Sequence, residues 1–187
     1  MANVASLIGY DAKNPKGAGS SLNEKLFMWG LLNQSKFKCV LEIGVSRGHM
    51  TLWLAFAQSA HGGKLTRLDN WSKMHGGEAT SPSYALKRLK DNKLNGVVDF
   101  VSSDSYTYLC DKADDSFDLV HVDGDHGFEG AYKDIKEAIR VAKCMVTVHD
   151  TNQGYVGPRD ACLAIEKEYG VQGTFIEGPR GFWICNL

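Results

Sequence analysis

"VLEIGVSRGHMTLWLAF", residues 40–56, passes from an apolar run into a turn with glycine at 44 and 48, then into a helix-like pattern. A strand–turn–helix unit of this kind points backbone amides at whatever sits over the helix start. A dinucleotide turn follows G-x-G-x-x-G, where the second glycine admits the pyrophosphate and the third packs helix on strand. Only Gly44 meets that pattern; Ser46 and His49 hold the other two positions. The stretch reads instead as E-x-G-x-x-x-G, formed by Glu42, Gly44 and Gly48, and suits a ligand without a pyrophosphate. A glycine pair alone is equally a tight strand-to-helix turn.

Further short apolar runs follow at intervals: "KLTRLD", "VVDFVSS", "FDLVHVDG" and "CMVTVHD" read as strands alongside "CVLEIG". Between them lie helical patterns: "NEKLFMWGLLN" with Asn23 as N-cap, "TLWLAFAQSA", "SPSYALKRLKDNKL" starting near Ser81 or Ser83, "EGAYKDIKEAIRVA" and "PRDACLAIEKEY". The tail "GTFIEGPRGFWICNL" reads as a hairpin around Gly-Pro-Arg-Gly. The alternation predicts an α/β fold, a parallel sheet covered on both faces, with ligands at the C-terminal strand ends. Those ends carry residues 44–48, Asp69, 102–105, 123–126 and 149–150, and every one is polar or glycine-rich. Residues 11–21, "DAKNPKGAGSS", read as a mobile arm or loop. The expected organisation is an N-terminal arm over 1–22 and one domain over 23–187.

The totals exclude several classes. A chain of 187 residues with 43% hydrophobic and 23% charged content fits one globular domain. Its 21 basic and 22 acidic residues nearly cancel, so no basic footprint advertises nucleic acid. Five scattered cysteines, none in a C-x-x-C pair, point to reduced thiols rather than a disulfide framework or structural zinc. No basic segment followed by an apolar run opens the chain, and no stretch is long enough to span a bilayer, so the expectation is a cytoplasmic protein with no membrane partner.

At the strand ends, Asp69 stands 21 residues after Gly48, near the offset at which a carboxylate holds ribose hydroxyls. It would equally cap the turn that follows. Asn70 and Trp71 come next, Trp71 either lying over an adenine or packing in the core. In "SSDSY", Ser103 and Asp104 are offered to an adenine edge, although a Ser-Asp-Ser loop is also a turn former. "VDGDHGFEG" packs Asp123, Asp125 and His126 into four residues, and His149 and Asp150 end the next strand, so the two groups should be neighbours. An imidazole at the ordinary value of about 6.5 suits His126 to proton abstraction near neutral pH. The plainer readings are Asp125 as a cap for a helix near Phe128 and His149 as a histidine bonded to backbone.

At this point the chain resembles the class I S-adenosylmethionine-dependent methyltransferases, from about Asn23 to Leu187. The resemblance rests on "VLEIGVSRGHMT", on the acid in "LDNW", and on "FDLVHVDGDHGFEGAYKDI" with "VTVHDT". The last two segments resemble the branch of small-molecule O-methyltransferases that includes catechol and sugar-modifying enzymes, a branch that often has serine at the position of Ser46. The resemblance implies a Rossmann-like three-layer sandwich with a mostly parallel seven-stranded sheet and an antiparallel C-terminal strand. It also implies S-adenosylmethionine as cofactor, held by Glu42, Gly44, Ser46, Gly48, Asp69, Asn70, Trp71, Ser103, Asp104 and Asp123. Carried over by position, Asp123, His149 and Asp150 would hold a divalent cation, and Asp125 or His126 would be the base. His149 stands where relatives tend to carry an acid, which argues against magnesium and toward manganese, iron, zinc or no metal.

The expected acceptor is a hydroxyl on a small molecule or sugar. A nucleic-acid or protein methyltransferase and an inactive cofactor-binding module are the alternatives; no Asn/Asp-Pro-Pro-Tyr segment follows the fourth strand, where amino-methylating DNA enzymes have one. A nicotinamide dehydrogenase is disfavoured by Ser46 and His49. Beyond the arm, only residues 72–83 and 150–160 are left to wall the pocket. An open site of that kind admits a large glycan, or completion by a second subunit in a homo-oligomer.

Overall fold

Strands that are buried on both faces need apolar side chains at consecutive positions, and "CVLEI" supplies them: Val40 faces one core, Leu41 and Ile43 the other. The computed structural model describes residues 3–13, 19–72, 74–75, 78–79 and 81–187. In chain order the elements are α1 (Val4–Lys13), α2 (Leu22–Ser35), β1 (Cys39–Ile43), α3 (His49–His61), β2 (Lys64–Asp69), β3 (Met74–His75), β4 (Glu78–Ala79) and α4 (Pro82–Asp91). After a 3-10 turn at Asn95–Val97 come β5 (Val98–Ser102), α5 (Ser105–Cys110), β6 (Phe117–Val122), α6 (Phe128–Val141) and β7 (Ala142–His149). The chain closes with α7 (Val156–Tyr169), β8 (Gly173–Ile176) and β9 (Phe182–Asn186).

Seven strands form one sheet in the order β5-β2-β1-β6-β7-β9-β8. All neighbours are parallel except β9, which runs against both β7 and β8. This is the Rossmann-like sandwich with an antiparallel C-terminal strand that the sequence led us to expect. From β1 the chain builds outward through β2 to β5, then returns to β6 on the other side of β1. The reversal opens a crevice between β1 and β6. One core joins α1, α2 and α3 to Val40, Leu65 and Leu119; the other joins α6 and α7 to Leu41, Ile43 and Val120.

Local signals account for most boundaries. Ser21, not Asn23, caps α2: its hydroxyl accepts from Glu24 N while the Glu24 carboxylate accepts from Ser21 N, a reciprocal box. Ser81 caps α4 with Pro82 at the first helical position. The segment read as an arm begins as helix, since α1 runs through Lys13 and buries Leu7 completely; residues 14–18 lie outside the described residues. The ribbon β3–β4, the 3-10 turn and the short α5 were not foreseen, being too brief to carry a periodic pattern. The rest of the 72–83 segment includes residues outside the described ones. All five cysteines are free. Among the described residues no helix is long and apolar enough to cross a membrane.

Gly44 sits just past β1 at φ +83°, and a Cβ there would lie 2.0 Å from the Asp123 carbonyl oxygen. Gly44→Ala combines a left-handed backbone with a backbone clash, and should cost at least about 2 kcal/mol. Urea unfolding of the variant checks this; a loss within experimental error would mean the two strand ends are not held this closely.

Candidate active site

The crevice between the ends of β1 and β6 holds a cleft of about 490 Å3. Glu42, Asp69, Asp123 and Asp150, expected on a common rim, all line it. So do Gly44, Ser46, Asn70, Ser103 and Asp104, together with Asp125, His126 and His149. Two expected residues lie elsewhere. Gly48 packs against α4, where a Cβ would meet the Ala85 Cβ at 2.3 Å, and the Trp71 ring faces the Arg67 guanidinium at 5.2 Å rather than the cleft. Helix packing by itself requires a small residue at Gly48.

The turn from 44 to 48 is wound left-handed at Gly44, Ser46 and Gly48, with φ of +83°, +48° and +72°. Asp69 holds it there. One carboxylate oxygen accepts from Val45 N at 2.8 Å and Ser46 N at 3.0 Å, and the other accepts from Trp71 N at 2.8 Å. Its capping role is thus met in the structure, and the oxygen that accepts only from Trp71 N retains a lone pair. Ser46 Oγ is buried on the cleft wall with no hydrogen-bond partner among the described residues, the kind of group a bound ligand satisfies. Asp104 caps α5, accepting from Thr107 N at 3.0 Å. Asp125 accepts from Gly127 N at 2.8 Å, an Asx turn just before α6, whose N-cap is Gly127 with no side-chain cap; the expected capping role of Asp125 is corrected to that turn.

The acid–histidine cluster forms as the strand order dictates. His126 Nε2 lies 2.9 Å from Asp150 Oδ2 and 3.7 Å from Asp123 Oδ1. His149 is buried, with Nδ1 3.3 Å from Asp123 Oδ1 and Nε2 3.6 Å from Glu24 Oε1. Arg180, at the tip of the β8–β9 hairpin, places NH1 3.2 Å from Asp150 Oδ2. Glu24 and Arg180 were not among the residues singled out. Their signal in the sequence is slight, because only the strand order brings a hairpin tip and an N-terminal helix to the end of β7.

These contacts set the charges. Hydrogen bonds to Asp123 and Asp150 draw His126 up to about 9. Burial alone would lower His149, but Asp123, Glu24 and Asp150 outweigh it and raise the ring to about 10. The expectation of a half-protonated His126 near neutral pH is therefore corrected: surrounded by carboxylates, it keeps its proton at pH 7. Burial would raise Asp123, yet His149 and His126 hold it well below the ordinary carboxylate range. Glu24 is likewise lowered to about 2, its burial outweighed by His149 and the Ser21 and Arg180 amides. Three carboxylates thus face two imidazoliums and a guanidinium.

A family model described as a methyltransferase domain matches residues 41–151, the span that holds the turn and the cluster. The chain belongs to this methyltransferase family. Comparison with curated proteins yields no match. Among solved structures, cofactor-bound Rv0187 from MTB superposes with a TM-score of 0.76 at 21% identity, covering 97% of this chain and 88% of that one. An O-methyltransferase from Bacillus cereus in complex with SAH gives 0.75 at 17% identity, with 98% and 89% covered. The O-methyltransferase TomG from Streptomyces achromogenes, in complex with SAM, gives 0.75 at 18% identity, with 100% and 91% covered. The resemblance to class I S-adenosylmethionine-dependent methyltransferases is met.

In the methyltransferase Glu42 lies beneath the turn, 1% exposed, accepting from Thr51 Oγ1 at 2.6 Å. Burial pushes its carboxyl from 4.5 up to about 8, against the pull of Thr51 and Arg67. Between those values the folded protein holds a proton that the unfolded chain has released. Stability is therefore lost as pH rises from 4.5 to about 8, and no further above that from this group. Glu42→Gln removes the effect, so urea unfolding near pH 5 and about pH 8.5 should show a smaller loss across the interval than the parent protein. An equal loss in both proteins counts against a protonated Glu42.

Proposed function

We propose that the protein transfers the methyl group of S-adenosylmethionine to a hydroxyl oxygen of a small molecule or sugar. The observation that carries this reading is the seating of Asp123, His126 and Asp150 in the same cleft as the Gly44 turn. A methyl donor held at the turn then has proton-handling groups beside its reactive end. Support for the oxygen acceptor comes from structural neighbours that are themselves O-methyltransferases with SAH or SAM.

In this reading the adenosyl group lies across the rim. Ser103 and Asp104 face the adenine edge, Asp69 and Asn70 the ribose, and Gly44, Ser46 and Asp123 the methionine end. A sulfonium methyl is already electrophilic, so the remaining task is to deprotonate the acceptor and align it in line with the carbon–sulfur bond. As the carbon–oxygen bond forms and the carbon–sulfur bond breaks, the hydroxyl proton passes to neutral His126. Asp123 and Asp150 stabilise the imidazolium that results, and S-adenosylhomocysteine leaves with the electron pair on sulfur.

The cluster also fits a divalent cation. Asp123, His126 and Asp150 offer ligand atoms within 4.8 Å of one another, with His126 rather than His149 supplying the imidazole. One nitrogen among oxygens leans toward manganese, iron or zinc over magnesium. Such an ion, when bound, lowers the pKa of a coordinated hydroxyl and fixes its position. Because His126 holds a proton at pH 7 and Arg180 holds Asp150, a cation enters only as positive charge leaves. Titration with manganese in two buffers of different ionisation enthalpy should reveal proton release, and tighter binding as pH rises toward about 9. Binding that is indifferent to pH in that range counts against His126 as a ligand.

Calorimetry with S-adenosylhomocysteine, and its formation from S-adenosylmethionine with a panel of catechols and sugars, test the central reading. His126→Ala should leave binding intact and lower turnover by about 100-fold or more. Without added metal, the parent rate should climb with pH toward about 9 as the imidazole loses its proton. A folded variant that binds and turns over like the parent removes His126 from the mechanism.

A further inference from the structure

His49 stands where a dinucleotide turn has its third glycine, and its side chain is 95% hidden from solvent at the start of α3. Its Nε2 lies 2.7 Å from Arg88 NH2. A guanidinium only donates, so Nε2 accepts and the ring proton sits on Nδ1. Nδ1 faces Asp11 Oδ1 of α1 at 3.7 Å. Arg88 in turn donates through Nε to the Arg47 carbonyl at 3.0 Å, inside the turn itself. On the far side Asp11 Oδ2 accepts from Lys25 Nζ at 2.9 Å and from Trp53 Nε1 at 2.8 Å. The ring of Tyr10 lies 5.8 Å from the Arg88 guanidinium, and its hydroxyl donates to Asp91 at 3.1 Å.

We propose that α1 positions the cofactor turn, acting through the buried chain Asp11–His49–Arg88–Arg47 carbonyl. The inference rests on the methyl-transfer reading of that turn. The turn is left-handed at Ser46, a conformation that costs a serine free energy unless its surroundings hold it. Asp69 grips it from β2 through the amides of Val45 and Ser46, and Arg88 grips its other limb through the Arg47 carbonyl. Asp11 orients His49, which lines the cleft, and through it Arg88, so a helix one residue behind the cleft wall pre-forms the surface on which the donor lies. Asp11, His49 and Arg88 are positioning residues; none of them needs to touch the reacting atoms. Histidine at position 49 has a role of its own, as the joint between α1 and the turn.

Asp11→Asn keeps the shape and removes the charge. Calorimetry with S-adenosylhomocysteine should then show an affinity roughly tenfold weaker, within the usual span of coupling between separated sites. KM for S-adenosylmethionine should rise with it, while kcat at saturating cofactor changes much less, and Asp11→Glu should recover part of the affinity. Hydrogen exchange of the amides at 45–49 should quicken in Asp11→Asn, which general destabilisation confined to α1 would not produce. Arg88→Lys, which keeps the charge but loses the fork, should act in the same direction and decides the matter if Asp11→Asn does not fold. Folded variants that bind within twofold of the parent, or whose turn amides exchange unchanged, overturn the inference. A parent protein that itself does not bind S-adenosylhomocysteine overturns the methyl-donor reading instead.

Discussion

The carbonyl of Asp123 occupies the place where a side chain at Gly44 would have to be. Everything in the cleft depends on that contact. Asp123 N donates to the Ile43 carbonyl at 2.8 Å and Gly44 N donates to the Leu68 carbonyl at 2.9 Å, so the ladders hold until the last residues before the chains diverge. Because the two strand ends nearly touch, a carboxylate at the end of β6 sits beside amides at the end of β1. Any residue larger than glycine at 44 would force the acid away from the turn, and the two halves of the site would separate.

The sheet beneath is unusually polar for a buried layer. Arg67, Glu42, His121 and Thr147 stand opposite one another on four adjacent strands, each no more than 1% exposed. Two residues further along the same chains come Asp69, Gly44, Asp123 and His149. Burying polar groups is costly unless they are paired: Thr51 donates to Glu42, and His121 Nδ1 shares a hydrogen bond with Thr147 Oγ1, while the Arg67 guanidinium, with no hydrogen-bond partner among the described residues, lies 3.6 Å from the Phe100 ring centroid. The same burial shifts His121 down to about 4 and Glu42 up to about 8, so both stay neutral at pH 7. Beneath the charged cluster lies a buried layer whose single charge is the Arg67 guanidinium, and the charges of the cleft are not screened from below by water.

Both ends of the chain close on this cluster. Glu24 Oε1 accepts from Arg180 N at 3.0 Å and from Gly181 N at 3.2 Å, while also facing His149. One buried carboxylate therefore ties α2 to the tip of the β8–β9 hairpin and, through it, aims Arg180 at Asp150. Ser20 and Arg180 become walls of the cleft as a result. The site is assembled from all three thirds of the chain.

The sequence by itself determined the strands, the long helices and the polar strand ends, because each rests on short-range physics: alternation of apolar side chains, glycine at left-handed turns, and carboxylates where backbone amides need acceptors. Thus Glu42, Asp69, Asp123 and Asp150 were legible as a common rim once the alternation was read. Helices and ribbons too short to show a period, such as α5, were not legible. Only the tertiary structure decided which groups share a proton. His126 is held protonated because β6 and β7 lie side by side; His149 is charged because α2 sets Glu24 against it; Gly48 packs on Ala85 and the Trp71 ring on Arg67. Charge state depends on neighbours brought from far along the chain, and spacing in the sequence carries no record of them.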